Sequence, residues 1–333
     1  MTARRLRASL RGWGGVGAML VACVLTAAFA LLLPLTRQSG SGSTGLGGPG
    51  LAEATQAKAD SCGDHPEQLS PAPSSDDSGP AVTAIKNRGY LSVGVDQNSY
   101  RWGYRDPNNT GSDLEGFDID LAHEIAQQIL GDPNAVRFHA IPTNQRIPAI
   151  QSGQVDMVVR TMTITCDRLR DVAFSAPYFT TGQQVLAPKA SGITGYDNSL
   201  AGKRICSAEG STADAALTQD KKSGRLAPSA DISTTVPNQL DCLVKLQLGE
   251  VDAVVTDGAL AASLAAQDPT VELKGKPFTT EYYGVAMNKQ STDLVRRVNQ
   301  VLVDYRRSGW QASYTKWLSQ TLGSDSTSSQ PPS

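Results

Sequence analysis

Hydroxyl side chains and one guanidinium follow a short apolar run in the segment RTMTITCDR at 160–168. Thr161, Thr163 and Arg168 come just after VDMVV at 155–159, which we expect to be a buried strand. In an open α/β sheet, ligands bind outside the carboxyl ends of the strands. A planar guanidinium matches a carboxylate with two parallel hydrogen bonds. The segment therefore predicts a carboxylate-binding site, with a solvated arginine after a turn as the alternative.

The same pattern returns later in the chain. NQRIPAIQSGQVDMVVRT and NQLDCLVKLQLGEVDAVVTD each place a helix and a glycine before V-D-x-V-V. The first ends in Arg160 and Thr161, and the second ends in Thr256 and Asp257. If the two strands belong to similar lobes that face each other, their ends meet across a cleft. A cation with hydroxyls on one side and a carboxylate on the other would fit a zwitterion.

Further polar and aromatic residues are candidates for the same cleft. Arg160 stands directly before the hydroxyls, and we expect it to hold a distal carboxylate of the ligand, with a surface salt bridge as the alternative. Asp96 ends the predicted strand LSVGVD and would either assist an ammonium group or orient an arginine. Tyr100 and Trp102 lie in the following loop. Their rings would line the ligand's aliphatic stem or simply pack within the protein.

The elements that must position these residues alternate between strand and helix. FDIDLAHEIAQQIL at 117–130 repeats apolar residues every four positions, which marks one helical face. Predicted strands and helices then follow one another to the helix STDLVRRVNQVLVDYRRSG. This alternation predicts an α/β fold with mainly parallel sheets.

Composition excludes several classes of function. The chain has 333 residues, of which 40% are apolar and 19% charged, with a formal net charge of −2. The first 37 residues hold five arginines and no acid, so the remaining chain carries 25 basic and 32 acidic residues. Such an acidic body does not favour nucleic-acid binding. With three histidines, we expect no metal site and no cofactor.

The N-terminal residues 1–37 are typical of a targeting segment. Basic MTARRLRASLR precedes an apolar run over residues 16–35, long enough to cross a bilayer. Positive charge before the run places the rest of the chain outside the cytoplasm. Two interpretations stay open: a retained signal anchor, which the length favours, or a lipoprotein whose LVAC motif is lipidated at Cys23. Both predict an extracytoplasmic, membrane-anchored protein of the cell envelope.

Residues 38–81 and 321–333 lack the apolar content of a folded domain. The first segment is rich in Gly, Ser and Pro and predicts a flexible stalk, while the second predicts a disordered tail. Four cysteines lie beyond the apolar run: Cys62, Cys166, Cys206 and Cys242. An even count in an oxidising compartment predicts two disulfides, and three pairings are open.

From about Ala84 to Leu318 the chain resembles the extracytoplasmic amino-acid-binding proteins of ABC transporters, in the polar amino acid group called family 3. The likeness is carried by EGFDIDLAHEIA (115–126), RIPAIQSGQVDMVVRTMTITCDR (146–168), VAFSAPYF (172–179), AGKRICSAEGST (201–212) and VDAVVTD (251–257). It is greatest to the glutamate- and aspartate-binding members, particularly actinobacterial glutamate-binding lipoproteins. Cys166 departs from the pattern, because many members have Pro or another residue there.

The resemblance implies the two-lobed fold of type II periplasmic binding proteins, with two crossover strands between the lobes. On that pattern lobe 1 comprises residues 82–184 and 284–320, lobe 2 comprises 187–281, and the crossovers fall near 183–187 and 282–286. Cys206 and Cys242 then share lobe 2, so we favour a bond between them, which leaves Cys62 with Cys166.

The resemblance also implies roles for individual residues. Arg168, helped by Thr161 and Thr163, corresponds to the arginine that holds the ligand's α-carboxylate, and Asp257 to the acid that takes its ammonium group. Arg146 has the spacing of an arginine that contacts the side-chain carboxylate of glutamate or aspartate. The turn of lobe 2 is matched by Gly210, Ser211 and Thr212, at a helix start that favours anions.

The function implied is the capture of L-glutamate or L-aspartate by closure of the cleft and delivery to an ABC permease. No enzymatic activity is expected, and we expect a monomer. One alternative is a ligand sensor for asparagine, glutamine, aspartate or glutamate that signals to a membrane partner. Another is an enzyme like cyclohexadienyl dehydratase, which would need a poised acid in the cleft, for which Glu209 is the candidate.

Overall fold

Residues 62–108, 111 and 113–324 are described by a computed structural model. The targeting segment predicted at residues 1–37, including Cys23, lies outside these residues, as does most of the predicted stalk. Over the described part of the chain, no helix combines the length and apolar character needed to cross a membrane. The described elements build two five-stranded sheets with helices packed on their faces.

The first sheet has the strand order β4-β1-β5-β14-β6. Strands β4, β1, β5 and β6 run in one direction, and β14 runs against them. The strands of this half are β1 (Leu91–Val95), β2 (Asn98–Ser99), β3 (Gly103–Tyr104), β4 (Val136–Ala140), β5 (Met157–Val158), β6 (Val172–Phe174), β7 (Phe179–Thr181) and β14 (Ala286–Asn288). The helices are α1 (Pro80–Arg88), α2 (Phe117–Leu130), α3 (Arg146–Gln151), α4 (Cys166–Leu169), α8 (Thr292–Ser308), α9 (Trp310–Trp317) and α10 (Ser319–Leu322).

The second sheet repeats this arrangement, with the order β10-β9-β11-β8-β12 and β8 as the strand that runs against the others. Its strands are β8 (Gln183–Pro188), β9 (Arg204–Ala208), β10 (Asp231–Val236), β11 (Ala253–Asp257) and β12 (Val271–Lys274). Its helices are α5 (Thr212–Ser223), α6 (Gln239–Gln247) and α7 (Gly258–Ala265). The predicted α/β class with mainly parallel sheets is confirmed, since four strands of each sheet share one direction.

The chain passes twice between the sheets. It leaves the first through β7 and returns through β13 (Glu281–Tyr283), and these two crossover strands pair antiparallel, with Thr181 opposite Glu281 and Phe179 opposite Tyr283. Gly182 follows β7 at a close approach, where a Cβ would lie 2.1 Å from the carbonyl oxygen of Thr279. Of the segments predicted as crossovers, 183–187 lies within β8 and 282–286 overlaps β13 and β14. The exact lobe boundaries stay a prediction.

Apolar side chains fill both faces of each sheet. The largest core lies between α2, α8 and the first sheet and includes Trp102, Phe117 and Trp310. A smaller cluster around Ile150 and Phe174 covers the other face. The second sheet is covered by one cluster around Leu217 and another around Leu243. The packing around each sheet therefore fixes the positions of the strand ends that lie between the sheets.

Both predicted disulfides are present. Cys206 and Cys242 join β9 to α6, and Cys62 is joined to Cys166 at the start of α4. The structure differs from the predicted flexible stalk over residues 62–79. Ser70 donates to the carbonyl of Phe174 (2.9 Å) and accepts from the amide of Asn299 (2.7 Å). Hydrogen bonds and a covalent link hold this segment in place without a large apolar surface.

At the other end, α10 covers residues 319–322, where the sequence predicts the start of a disordered tail. The rest of that tail, from residue 325 onward, lies outside the described residues.

Candidate functional site

The hydroxyl segment lies between β5 and α4, at the end of the first sheet that faces the second. Thr161 has a φ of 42°, an uncommon value for a residue with a Cβ. Its amide donates to the carboxylate of Asp118 (3.0 Å) and to the hydroxyl of Tyr178 (3.2 Å). The backbone of Thr163 pairs with that of Tyr283 in β13 as an isolated antiparallel β-bridge. The segment is thus fixed from one side by α2 and from the other by a crossover strand.

The side chain of Arg168 extends from the first lobe towards the second. Thr165 caps α4 by accepting the amide of Arg168 (3.2 Å), which sets the direction of the helix. The guanidinium donates to the carbonyl of Thr163 (2.7 Å) in its own lobe and to the carbonyl of Gly210 (3.1 Å) in the other. Burial lowers the pKa of Arg168, and the negative charges of Glu281 and Asp257 oppose that shift.

Arg146 lies beside it on α3. Its guanidinium donates to the carbonyls of Thr143 (2.9 Å), Arg160 (3.3 Å) and Gly210 (3.5 Å). Burial lowers the pKa of Arg146 well below its ordinary value, and the positive charges of Arg168 and then Arg160 lower it further. Two buried cations therefore converge on one carbonyl oxygen, that of Gly210.

Within the described part of the chain, neither of these two guanidinium groups has an anionic partner. Among the residues that the structure describes, no carboxylate lies within 4.0 Å of either one. Carbonyl oxygens carry only part of a negative charge, so they offset the desolvation of a buried cation incompletely. The pair is consequently suited to receive anionic groups from a ligand.

Arg160 differs from its neighbours because its charge is already neutralised. The side chain is fully buried and its guanidinium forms an ion pair with Asp96 (2.8 Å). It also donates to the hydroxyl of Thr143 (3.0 Å) and to the side-chain oxygen of Asn238 (3.0 Å). The geometry favours an internal role for Arg160, neither a ligand clamp nor a surface salt bridge. Of the two roles predicted for Asp96, orienting an arginine is the one that this contact favours.

An acidic cluster lies at the end of β11, on the other side of the cleft. Asp257 accepts from the hydroxyl of Tyr283 and from the amide of Gln183 (2.5 Å). Glu281 accepts from the same amide (3.3 Å) and from the hydroxyl of Thr212 (3.1 Å). Burial raises the pKa of Asp257 to about 7, and the neighbouring charge of Glu281 adds to the rise. This end of the cleft is suited to an ammonium group.

The turn before α5 has a different role from the anion-binding role that its sequence predicts. Ser211 caps the helix by accepting the amide of Asp214 (3.1 Å), and the amide of Gly210 donates to the carboxylate of Asp214 (3.2 Å). Gly210 has a φ of 72°, in the region that favours glycine, and its carbonyl faces the two arginines. The turn therefore presents an acceptor to the arginines, while Thr212 reaches the acidic cluster.

The two aromatic candidates lie apart from the charged groups. Trp102 is fully buried, with its ring 4.8 Å from that of Phe179 and 5.8 Å from that of Tyr283. Tyr100 borders a separate cavity of about 450 Å³, which is also lined by Tyr104 and Leu240. Trp102 thus packs against Tyr283, which donates to Asp257, as the packing alternative predicts. Neither ring lies against Arg146 or Arg168.

The structure brings together Arg146, Arg168, Thr163, Gly210, Thr212 and Asp257 from the predicted set. Gln183, Glu281, Tyr283 and Asp118 are not among the residues predicted from the sequence. Gln183 and Tyr283 fall within the predicted crossover segments 183–187 and 282–286, where an amide and a hydroxyl beside a proposed cleft were the available signal. Glu281 lies at the end of predicted lobe 2, directly before the second crossover. Asp118 lies in EGFDIDLAHEIA, where the helical pattern accounts for the apolar residues and leaves this buried acid unexplained.

The two lobes are in contact across the cleft. Besides the two arginines on Gly210, the amide of Thr143 donates to the carbonyl of Pro237 (3.1 Å) and the side chain of Asn144 donates to Glu209 (2.8 Å). The described conformation is therefore a closed one. In this conformation Glu209 lies at the rim and pairs with Asn144, and so it is not a poised acid inside the cleft.

Known proteins share this architecture. Residues 91–320 match the bacterial extracellular solute-binding proteins, family 3. The chain is 34% identical to the ABC transporter glutamine-binding protein GlnH of Bacillus subtilis over 71% of its own length and 84% of that protein. It is 30% identical to the glutamate-binding protein GluB of Corynebacterium efficiens over 74% of its own length and 82% of that protein.

A solved structure agrees in fold. The solute receptor for L-cysteine of Neisseria gonorrhoeae superposes with a TM-score of 0.69 and 27% identity, over 75% of this chain and 99% of that one. The predicted two-lobed fold of type II periplasmic binding proteins is confirmed.

Proposed function

The chain belongs to the bacterial extracellular solute-binding proteins of family 3, and we propose that it captures an acidic amino acid, L-glutamate or L-aspartate. As a member of this family it binds an amino acid outside the cytoplasm for an ABC importer. What remains to be assigned is the ligand. The charges that line the cleft indicate its chemistry.

The pair of arginines without anionic partners carries the proposal. Arg168 follows Thr163 and is placed to hold the α-carboxylate through two hydrogen bonds. Arg146 is a second buried cation, and the positive charge of Arg168 lowers its pKa. A ligand with two carboxylates offsets both charges. A dicarboxylic amino acid supplies these groups together with an ammonium group for Asp257.

A neutral ligand is the second candidate, and one contact favours it. Both guanidinium groups donate to the carbonyl of Gly210. Arg146 and Arg168 would in that case grip a single α-carboxylate, and the ligand's side chain would be an uncharged amide. L-Glutamine and L-asparagine fit that description, and a glutamine-binding protein is among the relatives.

Replacement of each arginine by glutamine separates these two ligands. We expect Arg168→Gln to abolish binding of every amino acid. Arg146→Gln should weaken L-glutamate by roughly 100-fold and L-glutamine by less than about fivefold, because a hydrogen bond to a charged group contributes about 1.5–3 kcal/mol. Isothermal titration calorimetry of the full chain with both ligands measures this difference. Arg170→Gln, which removes an exposed arginine two residues beyond Arg168, is the matched control.

The contrary outcome is specific. If Arg146→Gln weakens both ligands equally, Arg146 shares the α-carboxylate with Arg168 and the neutral ligand is favoured. If glutamine binds the unaltered protein more tightly than glutamate and aspartate, the acidic assignment is wrong.

A membrane tether at residues 1–37 is the remaining part of the proposal. Its support is the basic start followed by the apolar run at residues 16–35. A tether would keep the binding protein at high local concentration beside its permease. Recovery of the full chain from the aqueous fraction of lysed cells, with none in the membrane fraction, would exclude it.

A further inference from the structure

Two carboxylates share one amide group at the end of the cleft. Asp257 ends β11 in the second lobe, and Glu281 begins the crossover strand β13. The side-chain amide of Gln183 donates to Asp257 (2.5 Å) and reaches Glu281 (3.3 Å). Both acids are buried, with 6% of each residue exposed. We refer to Asp257 and Glu281 as the acid pair.

The other partners of the acid pair are neutral. Tyr283 donates its hydroxyl to Asp257, and Thr212 and Thr279 lie within hydrogen-bond distance of Glu281 (3.1 and 3.3 Å). Among the described residues, no lysine, arginine or histidine nitrogen lies within 4.0 Å of either carboxylate. Two neighbouring buried carboxylates without a cation resist ionising together, and such groups titrate as a pair.

Charged groups face the acid pair from several elements. Arg168 on α4 and Arg146 on α3 approach from the first lobe and favour the ionised form of Asp257. Burial and Glu281 work in the opposite direction, and together they outweigh the arginines and the Tyr283 hydrogen bond, so that the pKa of Asp257 rises to about 7. The balance is therefore close enough for one added positive charge to change it.

We propose that the acid pair holds one shared proton in the ligand-free protein and releases it when the ligand's ammonium group binds, with Glu281 as a second recognition residue for that group. The ammonium N–H groups then donate to both carboxylates, and the displaced proton passes to the buffer. This inference rests on the proposed function only in that the ligand is an amino acid. It does not depend on the ligand's side chain.

Affinity follows pH with a definite sign. Below about pH 7 Asp257 is protonated in the ligand-free protein, so binding must expel the proton and weakens as the pH falls. A release of one proton corresponds to a tenfold loss of affinity per pH unit. Above that pH the pair has already lost this proton before the ligand binds. The affinity then no longer depends on pH. Ligand binding at this end of the cleft thus depends on the pH outside the cytoplasm.

Calorimetry in two buffers counts the protons. The full chain is titrated with L-glutamate at pH 6 and pH 8 in buffers with different ionisation enthalpies, and the difference in observed enthalpy gives the number released. We expect close to one proton at pH 6 and close to none at pH 8. Glu281→Gln keeps the shape and removes one charge, so it should release less than half as many protons at pH 6. Glu272→Gln, which removes a glutamate paired with Lys274 at the surface, should match the unaltered protein.

The unaltered protein decides the matter even if Glu281→Gln does not fold. Absence of proton release at pH 6 overturns the acid pair, and so does an unchanged count in a folded Glu281→Gln variant. If neither L-glutamate nor L-aspartate binds but another amino acid does, the acidic assignment fails and the proton count is made with that ligand. Failure of all twenty amino acids to bind contradicts the inference and the proposed function together.

Discussion

Buried charges at this site fall into two groups that differ in their partners. Arg160 and Asp96 neutralise each other inside the first lobe, so their burial is compensated within the protein. Arg146 and Arg168 rely on carbonyl oxygens, and the acid pair relies on an amide and hydroxyls. Removing ions from water without a counter-ion costs several kcal/mol for each ion. The second group therefore stores a free-energy cost in the closed conformation that a ligand of matching charge offsets.

Asp118 fixes the backbone of the segment whose hydroxyls we propose to bind the ligand. Its carboxylate accepts the amide of Thr161 (3.0 Å) and the hydroxyl of Tyr178 (2.9 Å). The left-handed conformation of Thr161 costs roughly 1–2 kcal/mol, and these hydrogen bonds help to hold it. Asp118 thereby acts on the site from behind, as a positioning residue.

This buried carboxyl makes stability depend on pH. Burial raises the pKa of Asp118 to about 7, above its value near 3.8 in an unfolded chain. The folded protein therefore binds the proton more tightly, and this contribution to stability is complete below pH 3.8 and is lost as the pH rises to about 7. We expect Asp118→Asn to remove roughly 1 kcal/mol per pH unit from the slope of the unfolding free energy in that window.

Urea unfolding of the full chain at several pH values between 4.5 and 6.5 gives that slope. Asp171→Asn, at an exposed aspartate of the same lobe, is the control and should follow the unaltered protein. Equal slopes in Asp118→Asn and the unaltered protein would show that this carboxyl ionises as easily in the fold as outside it.

At the scale of elements, local patterns predict more than non-local pairing does. The alternation of strands and helices, the hydroxyls after β5 and the carboxylate at the end of β11 can be read within short windows of sequence. In the structure Thr161 follows β5 of the first sheet and Asp257 ends β11 of the second. Glu281 could not be found in this way. It reaches the cleft because β13 pairs with β7, and Thr181, its partner, lies far away in the chain. Composition gives no sign of such a pairing.

The N-terminal segment shows a second limit of composition. Its polar, proline-rich sequence predicts disorder because it can bury little apolar surface. The Cys62–Cys166 bond and the hydrogen bonds of Ser70 with Phe174 and Asn299 fix residues 62–79 by other means.

The Cys62–Cys166 bond should therefore contribute strongly to stability. It joins residues 104 positions apart, and closing so long a loop restricts the unfolded chain. We expect Cys62→Ala to lower the unfolding free energy by about 2–4 kcal/mol and to make residues 62–79 accessible to proteases. Chemical unfolding and limited proteolysis of the full chain measure both effects.

Single and double variants form a matched set for this bond. Cys62→Ala, Cys166→Ala and the double variant all break the same link, so their losses should agree within about 0.5 kcal/mol. A double variant that loses the sum of the two single losses would mean that the cysteines stabilise the fold through packing instead.

At the scale of the whole ligand-binding body, the closed cleft is held mainly by polar contacts. Gly210, Pro237 and Asn238 of the second lobe accept hydrogen bonds from Arg168, Thr143 and Arg160 of the first. Each hydrogen bond of this kind contributes only about 0.5–1.5 kcal/mol net, because opening the cleft exchanges it for hydrogen bonds to water. The closed and open conformations should therefore lie close in free energy, and a ligand that binds only the closed one shifts the balance.

Asn144 and Glu209 allow that balance to be tested without touching the charged groups. Their hydrogen bond (2.8 Å) crosses the rim of the cleft and exists only when the lobes meet. We expect Asn144→Ala to raise the dissociation rate of the ligand by about fivefold, since about 1 kcal/mol of closed-state stability is lost, and to leave the association rate nearly unchanged. Stopped-flow measurement of both rates gives the result, with Asn134→Ala at an exposed turn as control.

Combining Asn144→Ala with Glu209→Ala should add nothing further, because either change removes the same bond. Additive effects, or a slower association with unchanged dissociation, would mean that the rim contact acts before the lobes close, and closure would then not be the step that retains the ligand.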